Sequence, residues 1–202
     1  MISSGLEKGS WITTAYGVRG HLMPGDVESI LGVVNTFQPK VYAEIGTYLG
    51  CSACMVAKAS PTTLVYAHDL WEEDMKNLPE GSHPPHYVPD YFIEFYNNVR
   101  RLGLERQVIP VRGDSKYSMK IHPDDSVDLA FVDGDHSLEG CLADLRECWR
   151  CVRPGGLIMV HDCYTGSEVV QALEKFGEPI QQVLNAGNQP TCIRVLKKPN
   201  HR

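Results

Sequence analysis

The sequence lacks the features that would indicate a nucleic acid or a membrane as partner. Lysine and arginine never occur in a run longer than two residues, and the formal net charge is -6, whereas nucleic-acid binding requires a basic face. No segment approaches the ~20 consecutive apolar residues of a membrane span. The N-terminal stretch MISSGLEKGSW also lacks an apolar signal core. We therefore expect a soluble cytoplasmic protein that binds neither nucleic acid nor a membrane.

Cysteine is present, but not in a pattern that indicates a disulfide framework or a zinc site. The seven cysteines are an odd number, so complete pairing would leave one over. Two C-x-x-C pairs occur, Cys51/Cys54 and Cys148/Cys151. Each pair falls in a stretch with helical spacing and lacks the flanking turn residues of a zinc knuckle. We interpret the cysteines as reduced thiols.

Strand and helix patterns alternate along the chain, and neither an internal repeat nor a low-complexity segment interrupts them. The length favours a single domain over residues 1–202. Apolar spacing predicts helices at 25–37, 51–59, 90–102, 137–152 and 166–176. Buried strands are predicted at KVYAEIG, TLVYAHD, QVIPVRGD, VDLAFVDGD and GGLIMVHD, and a C-terminal antiparallel hairpin at PIQQVL and TCIRVLKK. The alternation predicts an α/β fold with a doubly wound, mostly parallel sheet.

Residues 71–90 interrupt this alternation with a long segment rich in proline, histidine and acidic residues. Long loops at the edge of an α/β sheet often contact substrate. We predict a substrate lid at 71–90, with Trp71, His83 and His86 as the side chains that could reach a ligand.

Each of the predicted strands except those of the hairpin carries an acidic residue at or near its end. Ligands of open α/β sheets bind beyond the carboxyl ends of the strands. These acids should therefore lie together at one edge of the sheet, although carboxylates at strand ends also occur without any ligand. The five residues are Glu44, Asp69, Asp114, Asp133 and Asp162.

The segment EIGTYLGCSA places Gly46 and Gly50 between a strand and a helix, but it does not match the dinucleotide pattern G-x-G-x-x-G. A ligand with a pyrophosphate is consequently less expected, and so is a nicotinamide-binding oxidoreductase, whose cofactor contains one. Asp69, at the end of the next strand, is placed to accept both hydroxyls of a ribose. A nucleoside without a pyrophosphate fits both observations, and the cationic sulfonium of S-adenosylmethionine (SAM) suits an acidic pocket.

Four segments together resemble the class I SAM-dependent methyltransferases, in particular the metal-dependent catechol and caffeoyl-CoA O-methyltransferases and small bacterial O-methyltransferases. They are EIGTYLGCSA, HDLW, VRGDSK and FVDGDHSLEGCLADL with the following VRPGGLIMVHD, and the likeness extends over residues 22–163. The resemblance implies a Rossmann-like fold, SAM as cofactor and a small-molecule acceptor. Similar proteins are commonly dimers, which leaves a homodimer open.

The resemblance also implies roles for individual residues in cofactor binding. Asp69 would hold the ribose, and Met23 would close over the cofactor. Asp133 would border it as well. The methionine part would be framed by Glu44, Gly46, Tyr48, Gly50 and Ser52, and the adenine would be bordered by Asp114, Ser115 and Lys116.

The same resemblance implies a divalent cation, Mg²⁺ or a similar ion, bound by Asp133 and Asp162. Cys163 occupies the position of the family's third ligand, and its soft sulfur is a poor match for such an ion. We expect His161 to point away from Asp162, because neighbouring side chains of a strand alternate.

His136 occupies the position of the family's catalytic lysine, and with Asp133 it is the predicted catalytic residue. An imidazole with an ordinary pKa near ~6.5 is largely neutral at pH 7 and can act as general base. We therefore expect turnover to rise with pH between roughly 6 and 7.5.

The sequence thus predicts a SAM-dependent methyltransferase that methylates a hydroxyl group of a small molecule with the help of a divalent cation. An N- or C-methyltransferase without metal remains an alternative of the same class. A nicotinamide-binding oxidoreductase and a non-catalytic protein of the same fold are alternatives of other classes.

Overall fold

The computed structural model describes residues 1–7, 10–71, 90–178, 180–183 and 190–200. It begins with a three-stranded antiparallel sheet that the sequence analysis did not predict. The strands are β1 (Ile2–Glu7), β2 (Ser10–Ala15) and β3 (Val18–Gly20). The turn between β2 and β3 has positive φ at Tyr16 and Gly17, as a two-residue hairpin turn requires.

The central sheet has seven strands, and its order confirms the predicted doubly wound α/β fold. The order is β6-β5-β4-β7-β8-β10-β9, in which β4 to β8 pair in parallel. The last two strands form the predicted antiparallel hairpin, and β10 also pairs antiparallel with β8. The bounds are β4 Val41–Ile45, β5 Leu64–Asp69, β6 Val108–Arg112, β7 Val127–Val132, β8 Val152–Val160, β9 Ile180–Val183 and β10 Arg194–Lys197.

The chain reverses its winding direction at β4. From β4 it proceeds outward through β5 and β6, and it then returns to place β7 and β8 on the other side. The connections that leave β4 and β7 therefore diverge, which opens a crevice at the carboxyl ends of these two strands. Gly46 and Asp133, the residues that follow these strands, lie in close backbone contact at the base of this crevice.

Five of the six described α-helices lie close to the predicted positions, the short helix at Ser115–Ser118 was not predicted, and several helices are capped by residues visible in the sequence. Pro24 begins the first helix, where the missing amide proton is not needed. Ser137 and Ser167 cap two others by accepting from the amides of Gly140 and Val170. The bounds are α1 Pro24–Phe37, α2 Cys51–Ala59, α3 Tyr91–Arg101, α4 Ser115–Ser118, α5 Leu138–Cys151 and α6 Glu168–Phe176, with a 3₁₀ turn at Met119–Ile121.

Hydrophobic cores lie on both faces of the sheet, because successive strand residues point to opposite sides. Leu129 and Phe131 of β7 join the core beneath α1, α2 and α3, whereas Ala130 and Val132 join the core beneath α5 and α6. Both C-x-x-C pairs lie in helices as predicted, and their thiols are buried in these cores. Within the described ranges, none of the helices has both the length and the apolar character that a bilayer crossing requires.

Strand β8 differs from the predicted segment GGLIMVHD at both ends. It begins at Val152, directly after α5, and it ends at Val160. His161 and Asp162 therefore lie beyond the strand, and Asp162 has a positive φ of 54°. The regular alternation of a strand does not apply to these two side chains, which matters for the site described below.

Two histidines form a buried pair at one side of the sheet. The Nε2 atoms of His68 on β5 and His122 are 2.9 Å apart, and His68 Nδ1 lies 3.1 Å from Ser118 Oγ. Burial lowers the pKa of His68 to about 3, helped by the neighbouring His122, and the pKa of His122 to about 4, helped by the charge of Arg150. Both imidazoles are consequently neutral in the native protein near pH 7.

Because these two histidines are neutral in the native protein, we predict that the free energy of unfolding decreases in weak acid. Between about pH 6.5 and 4 the unfolded chain binds protons that the native chain excludes, so the free energy of unfolding falls as the pH falls. The expected loss from pH 7 to pH 5 is about 2 kcal/mol per histidine. Urea unfolding of wild type and His122→Gln at both pH values measures it, because the variant lacks one of the two groups. Equal pH dependence in the two proteins would contradict the prediction.

Candidate active site

Two adjoining cavities lie at the carboxyl ends of the central strands. The larger has a volume of about 470 Å³ and extends past the ends of β5 and β6. The smaller cavity has a volume of about 240 Å³. It lies between the loop that joins β4 to α2 and the residues at the end of β3. Four residues line both: Gly46, Tyr48, Asp133 and His136. These shared residues mark the junction at which ligands in the two cavities would meet.

Gly46 is required by a close approach of backbone to backbone. Its φ is +86°, and a Cβ atom added there would lie 1.9 Å from the carbonyl oxygen of Asp133. Gly50 also has a positive φ, of +87°, but an added Cβ would meet the Phe95 ring at 2.9 Å. Gly50 lines neither of the two cavities. Contacts within the protein therefore already account for the backbone geometry at both glycines.

Tyr48 and Asp69 fix the loop after β4 against the end of β5. The Tyr48 amide donates to Asp69 Oδ2 at 2.7 Å, and the Trp71 amide donates to Asp69 Oδ1 at 2.8 Å. The Trp71 indole also donates to the Tyr48 carbonyl at 2.7 Å. Each carboxylate oxygen of Asp69 retains a further lone pair, and the residue lines the larger cavity.

Trp71 is therefore a support of this loop, and its side chain is only 3% exposed. Its ring packs on Phe92 and Phe95 of α3, and Trp71 lines neither cavity, so its side chain does not reach a ligand there as predicted. The remainder of the predicted lid, including His83 and His86, lies outside the described residues.

Glu44 lies behind the loop and lines neither cavity in the described part of the chain. Its carboxylate accepts hydrogen bonds from Tyr42 Oη at 2.7 Å and Ser52 Oγ at 2.8 Å. Burial raises the pKa of Glu44 to about 7, although these two hydroxyls act in the opposite direction. Glu44 therefore positions Ser52, which does line the smaller cavity.

The far wall of the larger cavity is formed by Asp114, Ser115 and Lys116, as the sequence suggested. Asp114 caps α4 by accepting from the Lys116 amide at 2.9 Å. The Ser115 hydroxyl binds Asp144 of α5, a buried residue that also lines this cavity and that the sequence analysis missed. Burial raises the pKa of Asp144 to about 6. Asp144 lies within a helix, where its acidic side chain gives no sign of facing a cavity.

The structure brings Asp133, His136 and Asp162 together at the junction. His136 Nε2 lies 2.8 Å from Asp162 Oδ2 and 3.6 Å from Asp133 Oδ1. One ligating atom from each residue lies within 4.8 Å of the others. Two carboxylates and an imidazole from three different positions in the chain thus converge on one point.

The protonation of His136 differs from the expectation for a free imidazole. Hydrogen bonds with Asp133 and Asp162 raise the pKa of His136 to about 10, and burial only partly opposes them. Burial alone would raise the pKa of Asp162, but His136 and His161 hold it well below its usual value. In this arrangement the imidazole is protonated at pH 7, so the expected titration between pH 6 and 7.5 does not apply to it.

His161 does not point away from the acidic residues, and this prediction is wrong. Its Nδ1 lies 2.9 Å from Asp133 Oδ1 and 3.5 Å from Asp162 Oδ2, while its Nε2 lies 3.2 Å from Asp26 Oδ2. The reason is the end of β8 at Val160, after which His161 and Asp162 can face the same region. Burial opposes the charged form, but the surrounding carboxylates hold the pKa of His161 well above its usual value.

Cys163, at the position of the family's third ligand, takes no part in the acidic cluster. Its thiol faces the carbonyl oxygens of Val160 and His161 at 3.3 and 3.6 Å. Burial raises the pKa of the Cys163 thiol to about 12, which disfavours the thiolate that binds metals. Among the described residues, His136 and not Cys163 is the third candidate ligand beside Asp133 and Asp162.

Strand β3 and the two residues that follow it supply cavity residues that were not predicted from the sequence. Arg19, His21 and Leu22 line the smaller cavity. Leu22 occupies a wall position in place of Met23, which caps α1 and lines neither cavity in the described chain. The sequence signal for this sheet is the hairpin turn at Tyr16 and Gly17, between two segments of β character.

Comparison with known proteins identifies a family to which this sequence is similar. The family model of a methyltransferase domain, Methyltransf_24, matches residues 43–163, which is more than half of the chain. No curated protein matches the sequence.

Solved structures show the same fold at low sequence identity. An O-methyltransferase from Bacillus cereus, in complex with SAH, has a TM-score of 0.59 at 19% identity, over 87% of this chain and 81% of its own. A methyltransferase from Geobacter sulfurreducens has a TM-score of 0.61 at 16% identity, over 87% and 78%. The O-methyltransferase NovP has a TM-score of 0.60 at 17% identity, over 86% and 78%. On the family match and this shared fold, the chain belongs to the methyltransferase-domain family and is a class I SAM-dependent methyltransferase.

Proposed function

We propose that this enzyme transfers the methyl group of SAM to a hydroxyl group of a small molecule, assisted by a divalent cation at Asp133 and Asp162. The observation that carries this proposal is the convergence of Asp133, His136 and Asp162 at the junction of two cavities. One cavity can hold a nucleoside and the other can admit an acceptor, so the reacting groups would meet beside these three side chains.

The cofactor is assigned to the larger cavity, the junction and the adjoining part of the smaller cavity beside Ser52 and Leu22. The volume of the larger cavity, about 470 Å³, lies in the range of small-molecule sites. Asp69 would hold the ribose, and the wall at 114–116 would border the adenine. Gly46, Tyr48 and Ser52 would frame the methionine part, with Glu44 and Gly50 acting through their contacts to this loop. Leu22 takes the covering position that the sequence assigned to Met23.

The donor set at the junction fits a divalent cation. Carboxylate oxygens are the ligands that Mg²⁺ and Mn²⁺ prefer, and an imidazole is also compatible with Mn²⁺ and other divalent metals. Asp133 and Asp162 would hold the ion, which would lower the pKa of an acceptor hydroxyl, and His136 would remain available to accept a proton. A dication would also neutralise the negative charge that keeps the proton on His136.

Methyl transfer requires alignment and removal of one proton. SAM would supply the methyl group: the acceptor oxygen would form a bond to the methyl carbon as the bond from that carbon to sulfur breaks, and the demethylated cofactor would leave. The hydroxyl proton must pass to a base, and we assign this role to His136, supported by Asp133. The cavities align the sulfur, the methyl group and the oxygen, which is the larger part of what a protein contributes to such a displacement.

A metal-free N- or C-methyltransferase is the second candidate, and one observation favours it. His136 and His161 already contact Asp133 and Asp162 at distances of 2.8 to 3.6 Å. Two imidazolium groups among the three carboxylates Asp26, Asp133 and Asp162 leave only one net negative charge, so little charge remains for an ion to balance. The names of two similar structures, both O-methyltransferases, support the hydroxyl acceptor. The family match is against the nicotinamide-binding alternative.

A screen of acceptors with and without a chelator tests the proposal. We expect turnover of SAM with members of a panel of phenols and sugar alcohols, and much weaker turnover with amines of similar size. EDTA should remove the activity, and excess Mg²⁺ or Mn²⁺ should restore it, because the ion activates the hydroxyl. Turnover that EDTA leaves unchanged would refute the metal role, and a preference for amines would favour the second candidate.

A further inference from the structure

His161 connects the acidic residues of the site to a part of the chain that touches neither cavity. Its side chain is 4% exposed, and both ring nitrogens face carboxylates. Nδ1 lies 2.9 Å from Asp133 Oδ1, and Nε2 lies 3.2 Å from Asp26 Oδ2. An ionised carboxylate only accepts hydrogen bonds, so the imidazole must donate from both nitrogens to satisfy both partners.

Asp26 is a rigid anchor for this imidazole. It is completely buried, and its Oδ2 accepts from the Met23 amide at 2.8 Å. Its Oδ1 accepts from Thr191 Oγ1 at 2.8 Å and from the Cys192 amide at 2.9 Å. These donors come from the start of α1 and from the segment before β10, so both segments hold the carboxylate in place.

The charges explain why an acid is needed at Asp26. A lone imidazolium beside Asp133 would cancel the negative charge that a bound cation requires. Asp26 contacts the other ring nitrogen of His161, so the Asp26 carboxylate and the His161 imidazolium together have zero net charge. The imidazolium still donates an N–H group to Asp133. Asp133 is thereby oriented by a hydrogen bond without losing its electrostatic attraction for a cation.

We infer that Asp26 and His161 are positioning residues, and that Asp26 orients the Asp133 carboxylate at the cavity junction through His161. The inference rests on the proposed function in one respect only, namely that Asp133 binds a divalent cation. Hydrogen-bonding partners of metal ligands typically change metal affinity by ~10- to 100-fold when they are removed. Asp26 lines neither cavity, whereas His161 also lines the smaller one, so an effect of Asp26 on the site must pass through His161.

Mn²⁺ affinity, measured by electron paramagnetic resonance, tests the inference in the full-length protein. We expect Asp26→Asn and His161→Gln each to weaken Mn²⁺ binding by ~10- to 100-fold. If Asp26 acts through His161, the double variant should be no weaker than the weaker single variant. Losses that multiply in the double variant, or unchanged affinity in Asp26→Asn, would overturn the inference.

Asp128→Asn is the matched control. Asp128 also accepts from two backbone amides, those of Lys40 and Val41 at 2.8 Å each, and pairs with a cation, Arg153. It lies near the start of β7, at the opposite end of that strand from Asp133. This variant should lose stability and keep the Mn²⁺ affinity of the wild type. If Asp26→Asn does not fold, Thr191→Val removes one donor to Asp26 and should weaken Mn²⁺ binding in the same direction by a smaller factor.

A second readout separates this inference from the proposed metal role. Without metal, His136 contacts Asp133 and Asp162, so the ¹⁵N chemical shifts of its imidazole report the position of these carboxylates. We expect the His136 signals to move in Asp26→Asn and to stay in place in Asp128→Asn. A wild type that binds no Mn²⁺ would refute only the metal role, and the His136 signals would then decide the inference. Unmoved signals in Asp26→Asn would overturn it.

Discussion

Replacing Asp162 by asparagine should lower turnover by ~10²-fold or more and weaken binding of Mn²⁺. The substitution keeps the shape of the side chain but removes one of two negative charges at the junction. A bound metal contributes several kcal/mol to catalysis, and each 1.4 kcal/mol corresponds to about tenfold in rate. Because Asp162 lines the smaller cavity and not the larger, the affinity for SAH should change little. Turnover with an acceptor from the screen and calorimetry with Mn²⁺ and SAH measure these effects.

His136→Ala, compared with Asp162→Asn, separates the roles that His136 can have. As a general base, His136 should contribute ~10²-fold or more to turnover, and its loss should leave Mn²⁺ affinity unchanged. As a metal ligand, its loss should weaken Mn²⁺ binding together with turnover. Asp128→Asn, at the other end of the sheet, serves as control for a lost carboxylate. Near wild-type turnover in Asp162→Asn would refute the proposed catalytic use of this acidic pair.

Gly46→Ala should destabilise the protein and disrupt cofactor binding together. The added Cβ would lie 1.9 Å from the Asp133 carbonyl oxygen, so the two loops at the switch in strand order must separate. We expect a cost of about 1–2 kcal/mol for a non-glycine residue at positive φ and a further ~1–3 kcal/mol for overpacking. Because the shift moves both Asp133 and the Tyr48 loop, SAH binding should weaken severely.

Gly177→Ala provides the matched control for this prediction. Gly177, after α6, has a φ of +80°, close to the +86° of Gly46, and no atom of the described residues lies within 4 Å of an added Cβ. This variant should show only the cost of the backbone conformation and should bind SAH normally. Thermal unfolding and calorimetry of the two variants separate the effects. Equal destabilisation in both would show that the contact with Asp133 is unimportant.

The sequence by itself determined the order of the main helices and strands from α1 onward and the acidic residues at the ends of the parallel strands. Alternating apolar strands and amphipathic helices predict a parallel sheet, because such a pattern can bury its apolar residues only between two layers of helices. The positions of Asp69, Asp114 and Asp133 at strand ends then follow from the common carboxyl edge of parallel strands. Local patterns of this kind depend on neighbouring residues and are visible without the tertiary structure.

The N-terminal sheet was within reach of the sequence but was not predicted. The turn at Tyr16 and Gly17 and the β-branched residues before it are local signals. The contribution of Arg19 and His21 to the smaller cavity is different, because it depends on where this sheet packs against α2. Packing between distant segments has no local signature.

Only the tertiary structure decided how the site residues pair and which charges they carry. His161 faces Asp133 because β8 ends at Val160, two residues earlier than predicted. Asp26 reaches His161 from 135 positions away, and Asp144 faces a cavity from within a helix. The sequence sets the intrinsic pKa of each group, but burial and the distances to neighbouring charges set the value in the protein. Those distances are fixed by long-range packing, so the protonation of His136 and the anchoring of Asp133 could be read only from the folded chain.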